Sequence, residues 1–454
     1  MSSIVTSIAD VRAAVARELP QALDDLAKLV AIPSVSMATD HADDVAASAE
    51  AVAGLVRELG WADVRIVSVP GGRPAVIAKR PAAPGAPTVC FYAHHDVQPT
   101  GEASSWTSDP FTVTRRDGRL YGRGVVDDKG AIAVHLTALR ALGDELGVGV
   151  TLLIEGEEEV GSPTMDAFLD EFSDDLDADA FVILDSGNWA VGRPAFTSSL
   201  RGLVDLVVEV RTLDHALHSG QYGGAVPDAL TTLCRLLGSL WDADGAVAVA
   251  GLDSTPVAEL DYPEDRLRAE SGLLHGVDFI GRGRLVQRLW GEPAVTVIGL
   301  DAPKVEGASN TLVPRARAKV SMRIAPTQDA SQALDALRKH LVDHAPFGTR
   351  ISFEEESGAA GCQLRFDGDI AQAAVACLRD SWGVDPVFMG MGGSIPLAGT
   401  LMHRFPRAAV LLTGIVDPDS RMHGLDESVD LDDLEKAAVA EALLLTRLAQ
   451  AADA

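Results

Sequence analysis

The segment TVCFYAHHD, residues 88–96, is an apolar run ending in two histidines and an aspartate. Its neighbours repeat the design. VTLLIEGEEE (150–159) is an apolar strand running into acids, and FVILD (181–185) is a strand with one carboxylate at its end. Between the first two, residues 129–142 have a helical pattern. Strands alternating with helices specify an α/β layer with helices on both faces of a mostly parallel sheet. Upstream, residues 8–33 read as a helix, with Val11, Val15, Leu23, Leu26 and Val30 at helical spacing and Pro33 as its stop. A second helix fits 42–59, closed by Gly60, followed by the short apolar runs VRIVSV and AVIAKR.

The pattern changes near residue 200. LVDLVVEVRT (203–212) alternates as a long strand, and PDALTTLCRLLGSLW (227–241) is an amphipathic helix. Residues 243–290 are rich in Asp, Gly and Pro. AVTVIGLD, RARAKVSMRIA, a helix over 330–343 and TRISFEE follow. This strand–helix–strand–strand–helix–strand order suits a small α+β, ferredoxin-like domain. From about 366 the helix/strand alternation resumes with DIAQAAVACLRDSW, AAVLLTG and a final helix over 431–450. The expected organisation is one α/β domain, 1–199 and 359–454, interrupted by an inserted domain, 200–358.

The chain has 454 residues, enough for two or three domains, and a net charge of −28 from 38 basic and 66 acidic side chains. Such a surface repels phosphate and anionic headgroups, which argues against nucleic acid or membrane partners. With 47% hydrophobic residues the chain can collapse. The N-terminus has no basic region followed by an apolar block, so no signal peptide is expected. The longest apolar stretches, such as GVGVTLLI and GAVAVAGL, are strand-sized. Cys90, Cys234, Cys362 and Cys377 form no CxxC pair, are widely spaced, and read as buried thiols in a reducing cytoplasm rather than a disulfide or zinc framework.

Functional groups of open α/β sheets gather at the carboxyl ends of strands, and five segments place ligand-type residues there. In YAHHDVQP, His94 and Asp96 share a face of an extended chain and His95 points away. In LYGRGVVDDKG, Asp127 and Asp128 precede a helix start, where a helix dipole alone would favour acids. In IEGEEEVGS, Glu157, Glu158 and Glu159 are a solvated charge run or a ligand beside a general base. Asp185 in VILDSGNW is a cap or a ligand, and His423 in DSRMHGLDES is a surface histidine or a ligand. Oxygen and imidazole donors without thiolate suit Zn²⁺, Mn²⁺ or Co²⁺.

Taken in order, HxD, GRGxxDDKG, EGEEExGS, an Asp after the next strand, HSGxYGG and a late His resemble the M20 family of dinuclear metallopeptidases, closest to its dipeptidase, carnosinase-type branch. The resemblance spans essentially the whole chain. It implies two divalent metal ions per subunit, zinc first, with manganese or cobalt as alternatives. It implies that Asp127 bridges the ions, with His94 and Asp185 on one and Glu159 and His423 on the other. Glu158 would be the general base, Asp96 would orient His94, and Glu157 would lie outside the site. The family often has a cis peptide after the bridging Asp, making Asp127–Asp128 a candidate.

The inserted domain is, by the same resemblance, a lid that also mediates homodimerisation. His218 of LHSGQYGG would reach the partner's site and stabilise an oxyanion. Asn310 of SNTLVP and Arg323 of SMRIAP would contact substrate, as would Gly393 and Ser394 of GGSIP (392–396). Related dipeptidases often carry Arg-Glu before that motif, where this chain has Gly390 and Met391. The expected activity is hydrolysis of a dipeptide or small peptide in the cytoplasm. The alternatives are an N-acyl amino acid deacylase or desuccinylase-like enzyme, and a non-catalytic binding homologue.

Overall fold

Apolar spacing and caps set the first elements of the computed structural model, which describes residues 7–393 and 396–452. Helix α1 (Ile8–Val30) starts where Ser7 Oγ accepts the Asp10 N–H, and Val11, Val15, Leu26 and Val30 turn inward. It stops three residues before Pro33. Helix α2 (Ala42–Arg57) is followed by β1 (Asp63–Val67), β2 (Ala75–Arg80) and β3 (Thr88–His94). Two short strands, β4 (Thr114–Arg116) and β5 (Arg119–Tyr121), precede helix α3 (Lys129–Leu142). Then come β6 (Gly149–Glu155), α4 (Met165–Leu176), β7 (Ala180–Ile183) and β8 (Ala195–Leu200).

The middle of the chain builds β9 (Gly202–Arg211), β10 (Leu217–His218), α5 (Ser219–Tyr222), α6 (Ala229–Gly238), α7 (Glu264–Ser271) and α8 (Leu285–Trp290). It continues through β11 (Ala294–Asp301), β12 (Thr311–Leu312), β13 (Arg315–Ile324), α9 (Ala330–Asp343), β14 (Arg350–Ala359) and β15 (Cys362–Gln363). The chain ends with α10 (Asp369–Trp382), β16 (Val387–Met391), α11 (Pro396–Arg404), β17 (Ala409–Leu412), β18 (Ser428–Asp430) and α12 (Leu431–Ala452).

These elements fall into two compact units. The first takes the chain up to Thr197, Leu364–Phe388 and Pro396 onward. The second takes Ser198–Gln363 with the short segment that begins at Met389. The boundaries differ by a few residues from 199/200 and 358/359. The segment from Met389 joins the second unit because its backbone is held there: Ser198 Oγ donates to Met389 O at 3.1 Å and Arg201 N to Met391 O at 3.3 Å.

In the first unit six strands pair in the order β1-β2-β6-β3-β7-β17. β6, β3, β7 and β17 are mutually parallel, while β2 is antiparallel to both β1 and β6. The parallel strands are nearly continuous apolar runs because both faces are covered. α3 is buried almost all round, consistent with its lack of a polar face. Parallel strands end on one side, so the loops after β3, β6, β7 and β17 converge there.

In the second unit the sheet order is β11-β13-β9-β14, all antiparallel. With α6 after β9 and α9 after β13 this is the ferredoxin-like βαββαβ arrangement. Val204, Leu206, Val208 and Val210 of β9 alternate onto one face, where Leu233, Leu236, Leu337 and Leu341 of the two helices cover them. The Asp/Gly/Pro-rich stretch 243–290 contains two short helices, α7 and α8, that its composition did not announce.

Two buried polar contacts fix the layers around β3. Asp25 of α1 receives Arg140 of α3 at 2.6 Å. His135 Nδ1 of α3 lies 2.9 Å from both Glu441 oxygens of α12, and its Nε2 lies 3.2 Å from Tyr92 O on β3. Removing one member of such a pair strands the other away from water. His135→Ala is therefore expected to cost about 3–5 kcal/mol, read as a lowered thermal unfolding midpoint. The double variant with Glu441→Ala should lose less than the sum of the single losses. Additive losses would show that the pair is not coupled.

Candidate metal centre

The site is built from the four converging loops and the start of α3. His94 ends β3 and is fully buried. Its Nδ1 faces the Asp96 carbonyl at 3.0 Å, with Asp96 Oδ1 farther off at 3.4 Å. The backbone of Asp96 thus orients the ring as much as its carboxylate does. The carboxylate oxygens also accept the N–H groups of Glu158 at 3.3 Å and Glu159 at 3.1 Å. One buried residue therefore joins the His94 loop to the loop after β6.

Asp127 and Asp128 immediately precede α3, joined by a cis peptide. Asp127 lies between two imidazoles: Oδ1 is 3.1 Å from His94 Nε2 and Oδ2 is 2.8 Å from His423 Nε2. His423 Nε2 also sits 3.3 Å from Glu159 Oε2. Asp185, two residues beyond β7, is placed by a bridge to Gly414 after β17. Ligand atoms of His94, Asp127 and Glu159 lie within 4.8 Å of one another, and so do those of His94, Glu158 and Asp185. The residues expected on each ion from sequence, together with Glu158, are thus gathered in one place.

Of the other expected residues, His95 points away: its Nε2 meets Pro74 O at 2.9 Å, and burial pushes its pKa down to about 4. Glu157 turns from the centre and accepts the N–H groups of Arg73 and Thr164, bracing the turn. His218, Asn310, Arg323 and Gly393 belong to the second unit, and Ser394 lies outside the described residues. There β10 pairs with β12, setting His218 opposite Thr311, and Ser219 N donates to Asn310 O at 2.9 Å. Arg323 is half-buried on β13. The sequence reading missed Gln98, whose Nε2 donates to Glu159 Oε2 at 2.7 Å. Its signal was available, since it stands two positions past Asp96 on the same face of an extended segment.

The donor set fits a cation. One N–H of His423 cannot be aimed along both directions in which carboxylate oxygens face it. Asp127 Oδ2 and Glu159 Oε1 are buried without a hydrogen bond among the described residues. Electrostatics agree. Burial and neighbouring acids push Asp185 and Asp128 well above the ordinary carboxylate range. Burial likewise raises Glu158 to about 7, with Glu159 and Asp127 adding to it against His94. His423 is drawn up to about 10 by Asp127 and Glu159. Carboxyls forced toward protonation beside imidazoles forced toward it mark a cluster that lacks positive charge. Nitrogen and oxygen donors in two adjoining groups that have His94 in common suit a pair of divalent ions.

Residues 90–447 match the model of peptidase family M20/M25/M40. The chain is 35% identical over 432 residues to the cysteinylglycine-S-conjugate dipeptidase of Corynebacterium striatum, covering 93% of this chain and 94% of that one. It is 30% identical over 377 residues to the Beta-Ala-His dipeptidase of Rattus norvegicus, covering 79% and 76%. Among solved structures, human carnosine dipeptidase 1 superposes with a TM-score of 0.79 at 25% identity, covering 98% and 99%. A strand-end centre of this composition in a chain matched along nearly its whole length leaves one assignment: the chain belongs to peptidase family M20/M25/M40.

Proposed function

We propose that the chain is a cytoplasmic, homodimeric, two-metal dipeptidase, with zinc as the resident ion. The observation that carries this reading is Asp127 held between His94 and His423 with Glu158 beside them. Asp127 would be the shared ligand, His94 and Asp185 would complete one ion's protein ligands, and Glu159 and His423 would complete the other's. Bound divalent ions would supply an acidified water and a Lewis acid for the scissile carbonyl. The protein supplies proton handling and position. Glu158 Oε2 stands 4.0 Å from His94 Nε2, and its side chain keeps 24% exposure, so it can meet water and substrate. It takes the proton of the attacking water and returns it to the leaving amine.

His218 fits the oxyanion role through its tautomer. Its Nδ1 accepts the Gly220 N–H at 3.1 Å, which places the ring proton on Nε2 as an outward donor. In the dimeric reading that donor serves the partner subunit's centre. Arg323 is the planar fork for the substrate carboxylate. Asn310 and Gly393 are the other substrate contacts of this reading. Support for a dipeptide substrate is the similarity to enzymes named as dipeptidases. Among the described residues no helix is long and apolar enough to cross a membrane.

The free amine of a dipeptide finds no acid at residue 391. Gly390 explains part of this departure: a Cβ there would lie 2.5 Å from the Trp290 Cβ, so Trp290 occupies the space a side chain would need. Acetylating the amine of a cleaved dipeptide should therefore lower kcat/KM by less than about tenfold (~1.4 kcal/mol). A loss of a thousandfold would place an amine-binding acid elsewhere.

Two further outcomes test the machinery. Glu158→Gln should keep two metal equivalents by elemental measurement yet lose at least about a hundredfold in kcat. Full turnover would remove Glu158 as the base. Mixing Glu158→Gln subunits with His218→Ala subunits should regain activity, because one centre of each mixed dimer then holds both native groups. Mixtures as inactive as their parents would exclude a histidine acting across subunits.

A further inference from the structure

An ion pair that never meets solvent lies behind the centre. Arg123 and Glu427 are 1% and 0% exposed, and Arg123 Nη1 donates to Glu427 Oε2 at 2.5 Å. The other oxygen, Oε1, accepts three backbone N–H groups, from Gly124 at 3.0 Å, Val126 at 3.1 Å and Asp127 at 3.3 Å. The Glu427 carbonyl accepts a fourth, from Gly122 at 3.0 Å. Arg123 Nη2 reaches the other way, to Gly424 O at 3.2 Å and Pro99 O at 3.1 Å. The Trp106 ring lies 5.4 Å from the guanidinium.

Three loops therefore meet on one pair. Pro99 closes the loop that begins at His94 and Asp96. Gly124 to Asp127 form the loop that delivers the shared carboxylate. Gly424 follows His423 directly. The His423 side has most need of such support: its side chain is 51% exposed and its backbone sits at φ +61°, so little packing holds it. Glu159, by contrast, has Gln98 and the Asp96 carboxylate to hold it.

We propose that Arg123 and Glu427 form the positioning pair of the half-site made by Asp127, Glu159 and His423, setting its affinity for a divalent ion without touching ion or substrate. This rests on the reading of Asp127 and His423 as ligands. The design is that of supporting contacts in metal sites generally, where residues behind the ligands fix their directions. Glu427 is suited to it because one carboxylate can satisfy a guanidinium and a row of amides at once. Glutamine cannot: its single oxygen serves one side, and its NH₂ faces a donor on the other.

The test uses the full chain stripped with chelator and titrated with Co²⁺, followed by visible absorption and by calorimetry. The native protein should take up two equivalents. Glu427→Gln should bind the second equivalent about 10–100-fold more weakly and the first, which shares Asp127 but has His94 and Asp185 as well, with a smaller loss. Its kcat should fall and return at high Co²⁺, with KM little changed. Glu427→Asp, which keeps the charge, should recover part of the affinity. Should Glu427→Gln fail to fold, Arg123→Lys is read in the same way, since it keeps the charge but loses the fork that joins Gly424 and Pro99. Glu441→Gln, in a buried pair that makes no hydrogen bond to these loops, should lower the unfolding midpoint and leave both equivalents intact. Native affinity for both equivalents in a folded Glu427→Gln or Arg123→Lys would overturn the proposal. A native chain that takes up fewer than two equivalents would overturn the ligand reading itself, and the pair's role with it.

Discussion

Burial of like charges at one edge of a sheet is the constraint around which the first unit is organised. Asp96, Asp127 and Asp128 are at most 4% exposed, and the Glu159 side chain is 3% exposed. Taking such groups out of water is costly unless charge or hydrogen bonds answer them. The scaffold answers where it can. Asp96 collects two amides, Glu427 collects three amides and a guanidinium, and Asp417 pairs with Arg119 at 2.8 Å. At Asp127 the answer is two imidazoles that also face other oxygens, an arrangement that a cation completes and a proton does not.

That demand dictates backbone as well as side chains. Two loops can bring their acids together only if their main chains approach closely. A Cβ at Gly414 would fall 1.6 Å from Ser186 O, beside the bridge that places Asp185. One at Gly130 would fall 2.3 Å from Val125 O, at the turn that carries Asp127 into α3. Neither position tolerates a side chain without moving a ligand loop. The glycines at these two close approaches are in this sense part of the centre.

These facts explain what was legible from sequence. The core elements were legible because their apolar spacing is long and uninterrupted, as in α1, α3, α9 and β9. The ligand loops were legible because each acid or histidine follows an apolar strand, and strand ends converge. The parts that escaped have no period to read. β4, β5, β15 and β18 run only two or three residues each, and α7 buries none of its side chains. The antiparallel placement of β2 depends on which neighbour it finds, not on its own apolar pattern. Asp96 was read as an orienting carboxylate, yet it works equally through its carbonyl and through the amides of Glu158 and Glu159. The amide contacts join residues 62 and 63 positions apart, and no local pattern encodes them.

The net charge of −28 can now be set against the site. Five acids, Asp96, Asp127, Glu158, Glu159 and Asp185, are assigned to the centre out of 66 in the chain. In the proposed reading four of these would face the ions, whose combined charge would be about +4. The ligand acids therefore come close to neutrality once the ions are bound, and the excess lies elsewhere. Part of it is on exposed faces, as in the first turns of α2 and α7, where the helix dipole favours acids. The overall acidity is thus a property of the surface. The chemistry depends on a local excess of a few carboxylates, held together by amides, by one buried arginine and by the charge they are built to receive.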